Sequence, residues 1–391
     1  MGFDFTKILK REHSHKWAAM TKKGVQPDQI VPFTVADYDF EMLDVIKDAL
    51  HRAVEEMPMG YTYGSPSYYD SIVDFVKRHH DYDIKQHDIL ESTGVVASID
   101  EMIKVFTKEN DEILVFTPVY TPFMKTIEKN DRVCIEAVLH YDKQYSIDFN
   151  ELENLLQTHS IKMVLLCSPH NPVGRVWTKD ELTQLSTLFL KYDVLIVSDE
   201  IHGQIIMKPH KQIMMASLSK EIEAKTITLI SPTKTFNLAG LHVSSILATG
   251  DLKRQIINYR KKTSFGGLNV LARVACEAAF THGDDYIEEF NDLINENHLL
   301  LKNFIEQNIP EIKVIDLEGT YLQWLDFSEF GLSEDEMKDI LEDEHSLFFN
   351  QGKVYGVKEG VFFRWNLAYP TSYIKEGLLR LQEWNVSRET K

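Results

Sequence analysis

The segment "VLIVSDEIH", residues 194–202, is a short apolar run that ends in two acidic residues and a histidine. Similar apolar runs recur through the middle of the chain, at 111–118, 132–139, 161–169, 226–231 and 243–250. An amphipathic helical pattern at 178–192 separates two of them. Short apolar strands that alternate with helices are typical of a largely parallel sheet covered on both faces. The middle of the chain therefore predicts an α/β fold.

The C-terminal third has a different pattern. One long helical pattern covers 285–308, two strand-like runs cover 319–327 and 360–369, and a closing helix covers 374–384. This order predicts a smaller α+β domain packed with the N-terminal segment. We expect residues 46–284 to form the large α/β domain. Residues 1–45 and 285–391 then form the smaller one.

Composition excludes several classes of protein. The 42 basic and 60 acidic residues give a formal net charge of −18, which repels nucleic acid and anionic membrane surfaces. The three cysteines have no CxxC spacing, so neither a disulfide framework nor a metal site is expected. The opening residues lack the apolar core of a signal peptide, and no run is long enough to span a membrane. We expect a cytoplasmic protein.

Three of the predicted strands end in polar residues. These residues are Asn171 after the run at 161–169, Asp199, Glu200 and His202 after the next run, and Ser231, Thr233 and Lys234 after the third. Asn-Pro turns, acidic helix starts and surface lysines are each common alone. Ligands of open α/β sheets, however, bind beyond the carboxyl ends of the strands. An amide, a carboxylate and an amine in this order therefore predict one ligand site.

Pyridoxal phosphate requires this chemistry of a protein. It needs a lysine for a Schiff base and an acidic partner for its pyridine nitrogen. Its phosphate needs hydrogen-bond donors, and "STGVVASIDEMIK" at 92–104 has a small-residue turn that opens a helical pattern. A plain helix cap is the alternative interpretation of that turn. Together with Ser231 and Lys234, the turn is the predicted phosphate site.

Longer motifs identify a family. The sequence resembles the fold-type-I pyridoxal-phosphate enzymes of the aminotransferase class I and II superfamily. Within it, the sequence is similar to the cystathionine β-lyase or C–S lyase branch, of MalY and PatB type. The motifs that carry the resemblance include "PFTVADYDF" (32–40), "GYTYGSPSYYDSIVDF" (60–75), "TPVYTPF" (117–123), "CSPHNPVGRVW" (167–177), "SDEIHGQI" (198–205), "SPTKTFNLAGL" (231–241), "GTYLQWLDF" (319–327) and "FFRWNLA" (362–368).

The resemblance implies roles for the residues around the cofactor ring. Lys234 would bind pyridoxal 5'-phosphate covalently and later move the proton of the substrate Cα. Asp199 would pair with the pyridine nitrogen and keep it protonated. Asn171 would donate to the ring hydroxyl, with His202 nearby where many relatives have tyrosine, and Tyr120 would stack on the ring. From the sequence alone, Tyr120 could equally be a core tyrosine.

It also implies roles at the phosphate and the substrate. Val95 and Val96 would donate main-chain N–H groups to the phosphate, together with Ser231. Tyr61 would reach the phosphate of the other subunit, so a homodimer with shared active sites is expected. Arg364 would bind the substrate carboxylate through its planar fork of donors. We also expect Asp37, Asn171 and Tyr120 to contact the substrate.

Three positions depart from the family pattern. Many aminotransferases have a phosphate-binding arginine eight residues after the Schiff-base lysine, but His242 stands there in this chain. Thr34 replaces a common tryptophan, and Tyr38 replaces a common methionine. The loss of arginine is tolerated in the lyase branch and weakens the aminotransferase interpretation. We expect the changes at Thr34 and Tyr38 to alter the pocket for the substrate side chain.

The predicted activity is therefore β-elimination from S-substituted cysteines such as cystathionine, giving a thiol, pyruvate and ammonia. An aminotransferase would use almost the same residues and remains an alternative. A regulatory protein that binds the cofactor without catalysis is an alternative of another class, although no basic DNA-binding segment precedes the first motif.

Overall fold

The computed structural model describes residues 3–9, 11, 13–25, 30–263 and 266–389. Residues 1, 2, 10, 12, 26–29, 390 and 391 of the predicted smaller domain and residues 264 and 265 of the predicted large domain therefore lie outside the described residues. The strands are β1 Ile89–Ser92, β2 Glu112–Thr117, β3 Val133–Val138, β4 His140–Tyr141, β5 Tyr145–Ser146, β6 Ile161–Cys167, β7 Leu195–Asp199, β8 Thr226–Ile230, β9 Ser244–Leu247, β10 Lys313–Val314, β11 Leu322–Asp326, β12 Asn350–Gln351 and β13 Phe362–Asn366.

The α-helices follow the strands closely in the middle of the chain. They are α1 His15–Lys22, α2 Asp44–Glu56, α3 Pro66–His80, α4 Val95–Phe106, α5 Pro122–Lys129, α6 Phe149–Thr158, α7 Lys179–Lys191, α8 Lys220–Glu223, α9 Gly250–Arg260, α10 Val270–His282, α11 Asp284–Asn308, α12 Glu334–Asp339 and α13 Thr371–Glu389. Every strand and helix predicted from the apolar and amphipathic runs is present, with ends that differ by a few residues.

The largest sheet has seven strands in the order β1-β9-β8-β7-β6-β2-β3. Neighbouring strands from β8 to β3 are parallel, whereas β9 is antiparallel to both β8 and β1. The predicted mostly parallel α/β fold is confirmed. Because the parallel strands point the same way, the residues that follow β6, β7 and β8 lie at one edge of the sheet.

Both faces of this sheet are buried, which explains its continuous apolar runs. Along β6, Met163 and Leu165 pack in the cluster that contains Ile99 of α4. The intervening Val164 and Leu166 pack in the cluster that contains Leu182 of α7. Successive side chains of a strand point to opposite faces, so a strand between two helical layers needs apolar residues at every position.

A second, antiparallel sheet has the order β10-β11-β13-β12 and packs with α11 and α13. The N-terminal segment joins it, since the rings of Phe33 and Trp365 lie 4.7 Å apart between centroids. This packing agrees with a smaller unit built from both ends of the chain. The domain boundaries after residues 45 and 284 stay a prediction. Within the described ranges, no helix combines the length and apolarity needed to cross a membrane.

Candidate active site

A cavity of about 140 Å³ opens at the carboxyl ends of β6, β7 and β8. It is the place where the strand-end rule predicted a ligand. Seven of the predicted site residues line it: Val95, Val96, Tyr120, Asn171, Asp199, His202 and Lys234. Residues from positions 95 to 234 thus meet because the strands that precede them, β1, β2, β6, β7 and β8, run in the same direction and end at the same edge of the sheet.

Lys234 lies in the turn after β8, and its Nζ donates to the main-chain carbonyl of Ala36 over 2.7 Å. Desolvation of the amine lowers its pKa to about 8, and the positive charge of Arg364 adds to this effect. The carboxylates of Asp37 and Asp199 act in the opposite direction. A neutral, nucleophilic amine is therefore accessible close to neutral pH.

Asp199 ends β7, and its Oδ1 accepts a hydrogen bond of 3.1 Å from the main-chain N–H of Ile201. Burial raises the pKa of this carboxyl to about 7, although the Ile201 N–H and the Lys234 charge oppose the shift. A buried carboxylate gains most from a cationic partner that also donates a hydrogen bond. Asp199 is therefore suited to a protonated ring nitrogen.

Arg364, from β13 of the second sheet, reaches the same region. Its Nη1 donates to Asn171 Oδ1 and its Nη2 to Asn350 Oδ1, both over 3.0 Å. The guanidinium also lies 4.9 Å from the ring centroid of Tyr355. Among the described residues, Arg364 Nε has no hydrogen-bond partner. The side chain is thus held in place with donor capacity for a carboxylate ligand.

The cavity includes the start of α4. Gly94 precedes this helix with a φ of 148°, a conformation that favours glycine, and no side chain caps the first turn. A Cβ added to Gly94 would meet no atom of the described residues within 4 Å beyond its chain neighbours, so the space in front of the helix is open in this part of the structure. Free N–H groups at a helix start, beside Thr93 and Thr233, can bind an anion.

Comparison with known proteins identifies the family. The model of the family "Aminotransferase class I and II" matches residues 28–381. The chain belongs to the aminotransferase class I and II family. This result confirms the family that the motifs predicted.

Relatives in this family cover nearly the whole chain. Cystathionine beta-lyase PatB of Bacillus subtilis is 34% identical over 98% of this chain and 99% of its own length. The structure of cystalysin from Treponema denticola superposes with a TM-score of 0.95, at 35% identity and with full coverage of both chains. A putative aminotransferase from Clostridium difficile superposes with a TM-score of 0.93, at 38% identity, over 98% of this chain and 100% of its own.

The residues of the cavity fit pyridoxal phosphate, which the cystalysin and C. difficile structures contain. Asp199 offers a buried carboxylate, Lys234 an amine, and the start of α4 an anion site. His202 lines the cavity and, among the described residues, its Nδ1 has no hydrogen-bond partner. A ligand in the cavity can supply the hydrogen-bond partner that this buried nitrogen lacks. The cofactor prediction is confirmed.

Four predicted residues do not line the cavity of the single chain. Ser231 donates through Oγ to the carbonyl of Val243 over 2.6 Å, and the neighbouring Thr233 lines the cavity instead. Arg364 reaches the site through Asn171. The remaining two are Asp37 and Tyr61. Their predicted roles stay predictions.

Asp37 faces two cations of the N-terminal segment. Its carboxylate lies 3.0 Å from Arg11 Nη2 and 3.0 Å from Lys16 Nζ. Tyr61, in the family's "GY" motif, is fully exposed and belongs to the lining of a different cavity, of about 960 Å³. A single chain therefore does not bring Tyr61 to its own Lys234.

The segment that contains Ala36 is clamped by one side chain of the second sheet. Asn366 Nδ2 donates to the carbonyls of Val35 and Asp37 over 2.8 and 2.7 Å, and to that of Thr34 over 3.4 Å. Val35 has a φ of 32°, in a region that β-branched residues avoid. The Asn366 hydrogen bonds help to hold this strained backbone beneath the Lys234 amine.

Sequence reasoning missed several residues of the site. Thr93 lines the cavity but had no assigned role, although its hydroxyl within the helix-start motif was a usable signal; Thr233 was placed at the predicted site but without a role of its own. Asn350 reaches Arg364 because β12 pairs with β13, with these two residues opposite each other. No local pattern could reveal that pairing.

The three departures from the family pattern have different outcomes. His242 lines the cavity at the position where the resemblance implied an arginine in many aminotransferases, so this position supplies no permanent cation to the site. Thr34 contributes its carbonyl to Asn366. Tyr38 is buried and is not part of the cavity lining. The expectation that Tyr38 shapes the pocket for the substrate side chain is therefore not supported by its position.

Proposed function

We propose that this chain catalyses pyridoxal-phosphate-dependent β-elimination from S-substituted cysteines and releases a thiol, pyruvate and ammonia. The observation that carries the proposal is the meeting of Lys234 and Asp199 in one cavity, in a chain 34% identical over 98% of its length to a cystathionine beta-lyase. The enzyme is a carbon–sulfur lyase that acts on an amino-acid substrate.

Each residue has a defined task. When bound, pyridoxal phosphate supplies an electron sink for the negative charge that develops at the substrate Cα. Lys234 would hold the cofactor covalently in the resting enzyme and, as a free neutral amine once the substrate is bound, would accept the Cα proton at Nζ. Asp199 would keep a proton on the ring nitrogen. Arg364 binds the substrate carboxylate and thereby orients the Cα–H bond. Loss of this proton and of the thiolate at Cβ, followed by hydrolysis, gives the three products.

The reaction can be tested directly with cystathionine and the purified holoenzyme. We expect a thiol, pyruvate and ammonia in equal amounts without any added keto acid. Lys234→Ala is the negative control, since it removes the proton acceptor. If the amino acid is consumed only when a keto acid is present, and no thiol is released, the protein is an aminotransferase.

We further propose a homodimer in which Tyr61 completes the site of the partner subunit. The exposed apolar side chains near Tyr61 support this assignment, because a patch of this kind marks an interface: Val54, Met57, Met59 and Tyr63. The Tyr61 segment is also fixed in place, since Arg273 donates to the carbonyl of Thr62 and forms a two-bond ion pair with Glu91. An exposed tyrosine beside an anchored main-chain segment is suited to a partner's site.

The proposed location is the cytoplasm. The cysteines at positions 134, 167 and 276 are all free thiols, which suits a reducing compartment. The net charge of −18 makes nucleic acid and anionic membranes unsuitable partners.

A further inference from the structure

Tyr38 makes a hydrogen bond that its position in the sequence did not suggest. The side chain is buried, and its hydroxyl donates to the main-chain carbonyl of Thr235 over 2.7 Å. Thr235 directly follows Lys234. Tyr38 is therefore hydrogen-bonded to the backbone of the residue next to the reactive lysine, and neither Tyr38 nor Thr235 is among the residues that line the cavity.

Four hydrogen bonds join residues 36–38 of the N-terminal segment to residues 234–237, which we call the lysine turn. Lys234 Nζ donates to Ala36 O over 2.7 Å, and Tyr38 Oη donates to Thr235 O over 2.7 Å. Asn237 Nδ2 donates to Tyr38 O over 2.5 Å, and Tyr38 N donates to Asn237 Oδ1 over 3.3 Å. Three of the four involve Tyr38. This residue is thus the main link between the carbonyl that receives the amine and the turn that carries it.

The lysine turn is also held from its other side. Thr235 Oγ1 donates to Gln204 Oε1 over 3.4 Å, and the Gln204 amide lies 2.8 Å from His80 Nε2. Burial lowers the pKa of His80 to about 3, so its imidazole is neutral and Nε2 can accept that bond. Tyr286 in turn donates to the Tyr38 hydroxyl over 3.0 Å. Thr235 is thereby fixed through both its side chain and its carbonyl.

We propose that Tyr38 is a positioning residue that holds the Lys234 amine against the Ala36 carbonyl and so sets how readily the amine loses its proton. The proposal rests on the proposed function, in which the neutral amine of Lys234 binds the cofactor and accepts the Cα proton. Tyr38 touches neither the cavity nor the reacting atoms, so it acts only through Lys234 and Ala36.

The direction of the effect follows from the hydrogen bond at Ala36. A carbonyl acceptor stabilises the ammonium form of Lys234, so loss of this contact makes the amine neutral at lower pH. Arg364, Asp37 and Asp199 act on the amine through their charges, whereas burial lowers the pKa of His202 well below 6.5, so His202 is a neutral imidazole there. Tyr38 is a neutral phenol at any working pH because burial raises its pKa well above 10. Replacing it with phenylalanine removes a hydrogen bond and no charge.

The experiment compares two buried tyrosines. Tyr38→Phe is the test, and Tyr369→Phe is the matched control, because Tyr369 is also buried and donates to a carbonyl of the N-terminal segment, that of Pro32, over 2.8 Å. Cofactor-free protein is mixed with pyridoxal phosphate over a range of pH, and the rate of covalent capture is followed by the yellow absorbance. The thermal melting temperature of each cofactor-free variant reports on folding.

In the wild type, the capture rate should rise with pH to a midpoint near 8. Tyr38→Phe should move the midpoint down by about 0.5 to 1 pH unit, and lower kcat for cystathionine about tenfold with KM within about twofold. Tyr38→Phe and Tyr369→Phe should lower the melting temperature of the cofactor-free protein by similar amounts. Tyr369→Phe, however, should change neither the midpoint of capture nor kcat.

A second variant covers the case in which Tyr38→Phe does not fold. In Asn237→Gly, the new glycine tolerates the local φ of 54°. Both hydrogen bonds between the Asn237 side chain and the main chain of Tyr38 are lost. This variant should move the capture midpoint in the same direction. If every folded variant keeps the wild-type midpoint and kcat, or matches Tyr369→Phe, Tyr38 is only structural and the proposal is wrong. If the wild type captures no cofactor at all, the proposed function fails as well.

Discussion

Arg364 Nη1 donates to Asn171 Oδ1 over 3.0 Å, although the two residues are 193 positions apart. The predicted substrate-carboxylate residue and the predicted ring-hydroxyl residue are therefore joined directly. One comes from the second sheet and the other from the turn after β6. A ligand that contacts one of these side chains therefore also affects the other through their hydrogen bond. The positions of substrate and cofactor are thus coupled.

Arg364→Ala should weaken the reaction mainly through substrate binding and orientation. We expect kcat/KM to fall by a factor that corresponds to about 2–5 kcal/mol of lost transition-state stabilisation, because a buried charge pair would be lost. Steady-state kinetics with cystathionine measures this loss. Arg78→Ala is a suitable control, since Arg78 forms an exposed ion pair with Asp284 and should change kcat/KM little.

Asp199→Asn should lose most activity but stabilise the cofactor-free protein. The folded carboxyl has a pKa of about 7, above its ordinary value of 3.8, so the folded state binds an extra proton between these values. Stability therefore falls as pH rises from about 4 to 7, and the penalty is complete above 7. The neutral amide avoids this penalty, so Asp199→Asn should gain on the order of 4 kcal/mol of folding stability at pH 8.

Thermal or urea unfolding of the cofactor-free protein at pH 5 and pH 8 checks this prediction. The gain should be larger at pH 8 than at pH 5. Asp74→Asn, at an exposed position of α3, should show no such pH dependence. An equal gain at both pH values would contradict the assigned cause.

Lys234→Ala should fold, keep a measurable affinity for pyridoxal phosphate and lose turnover. The start of α4 and Asp199 remain, so noncovalent contacts persist, whereas the nucleophile and proton acceptor are gone. Equilibrium dialysis measures binding, and the yellow absorbance of the lysine-bound cofactor should be absent. Near-native activity in this variant would show that another residue does the work.

Tyr61→Phe and Lys234→Ala should complement each other if sites are shared across a dimer. Each variant alone should be impaired, because one lacks the partner-facing hydroxyl and the other the amine. A mixed dimer has one site with both groups intact, so refolding or exchanging the two should restore part of the activity. With subunit exchange verified by mass, no recovery would mean that Tyr61 does not act across an interface.

The sequence was sufficient for the parallel sheet and for the centre of the site. Asn171, Asp199 and Lys234 follow consecutive buried strands, and parallel pairing brings such strand ends together whatever the loops between them do. Both the fold class and the core of the site depend on this single geometric rule. They were therefore predictable from short apolar runs and the residues after them.

Contacts between distant segments were not predictable in the same way. The partner of Arg364, Asn350, depends on the register of a two-residue strand. Tyr38 was expected at the substrate, but its hydroxyl turns to Thr235 because its ring packs among the aromatic rings of Phe40, Phe290 and Tyr321. Tertiary packing determines such contacts, and the pattern of apolar and polar residues along the sequence does not indicate them.

The hydrogen bonds from Asn366 to the carbonyls of residues 34, 35 and 37 can form only late in the synthesis of the chain. These partners are 329 to 332 positions apart, so a ribosome that adds about 5–20 residues per second needs roughly 15–65 s between them. For that whole interval the segment beneath the Lys234 amine lacks its anchor. A nascent chain can close its large sheet early, but the segment that receives the Lys234 amine is anchored only after Asn366 has emerged.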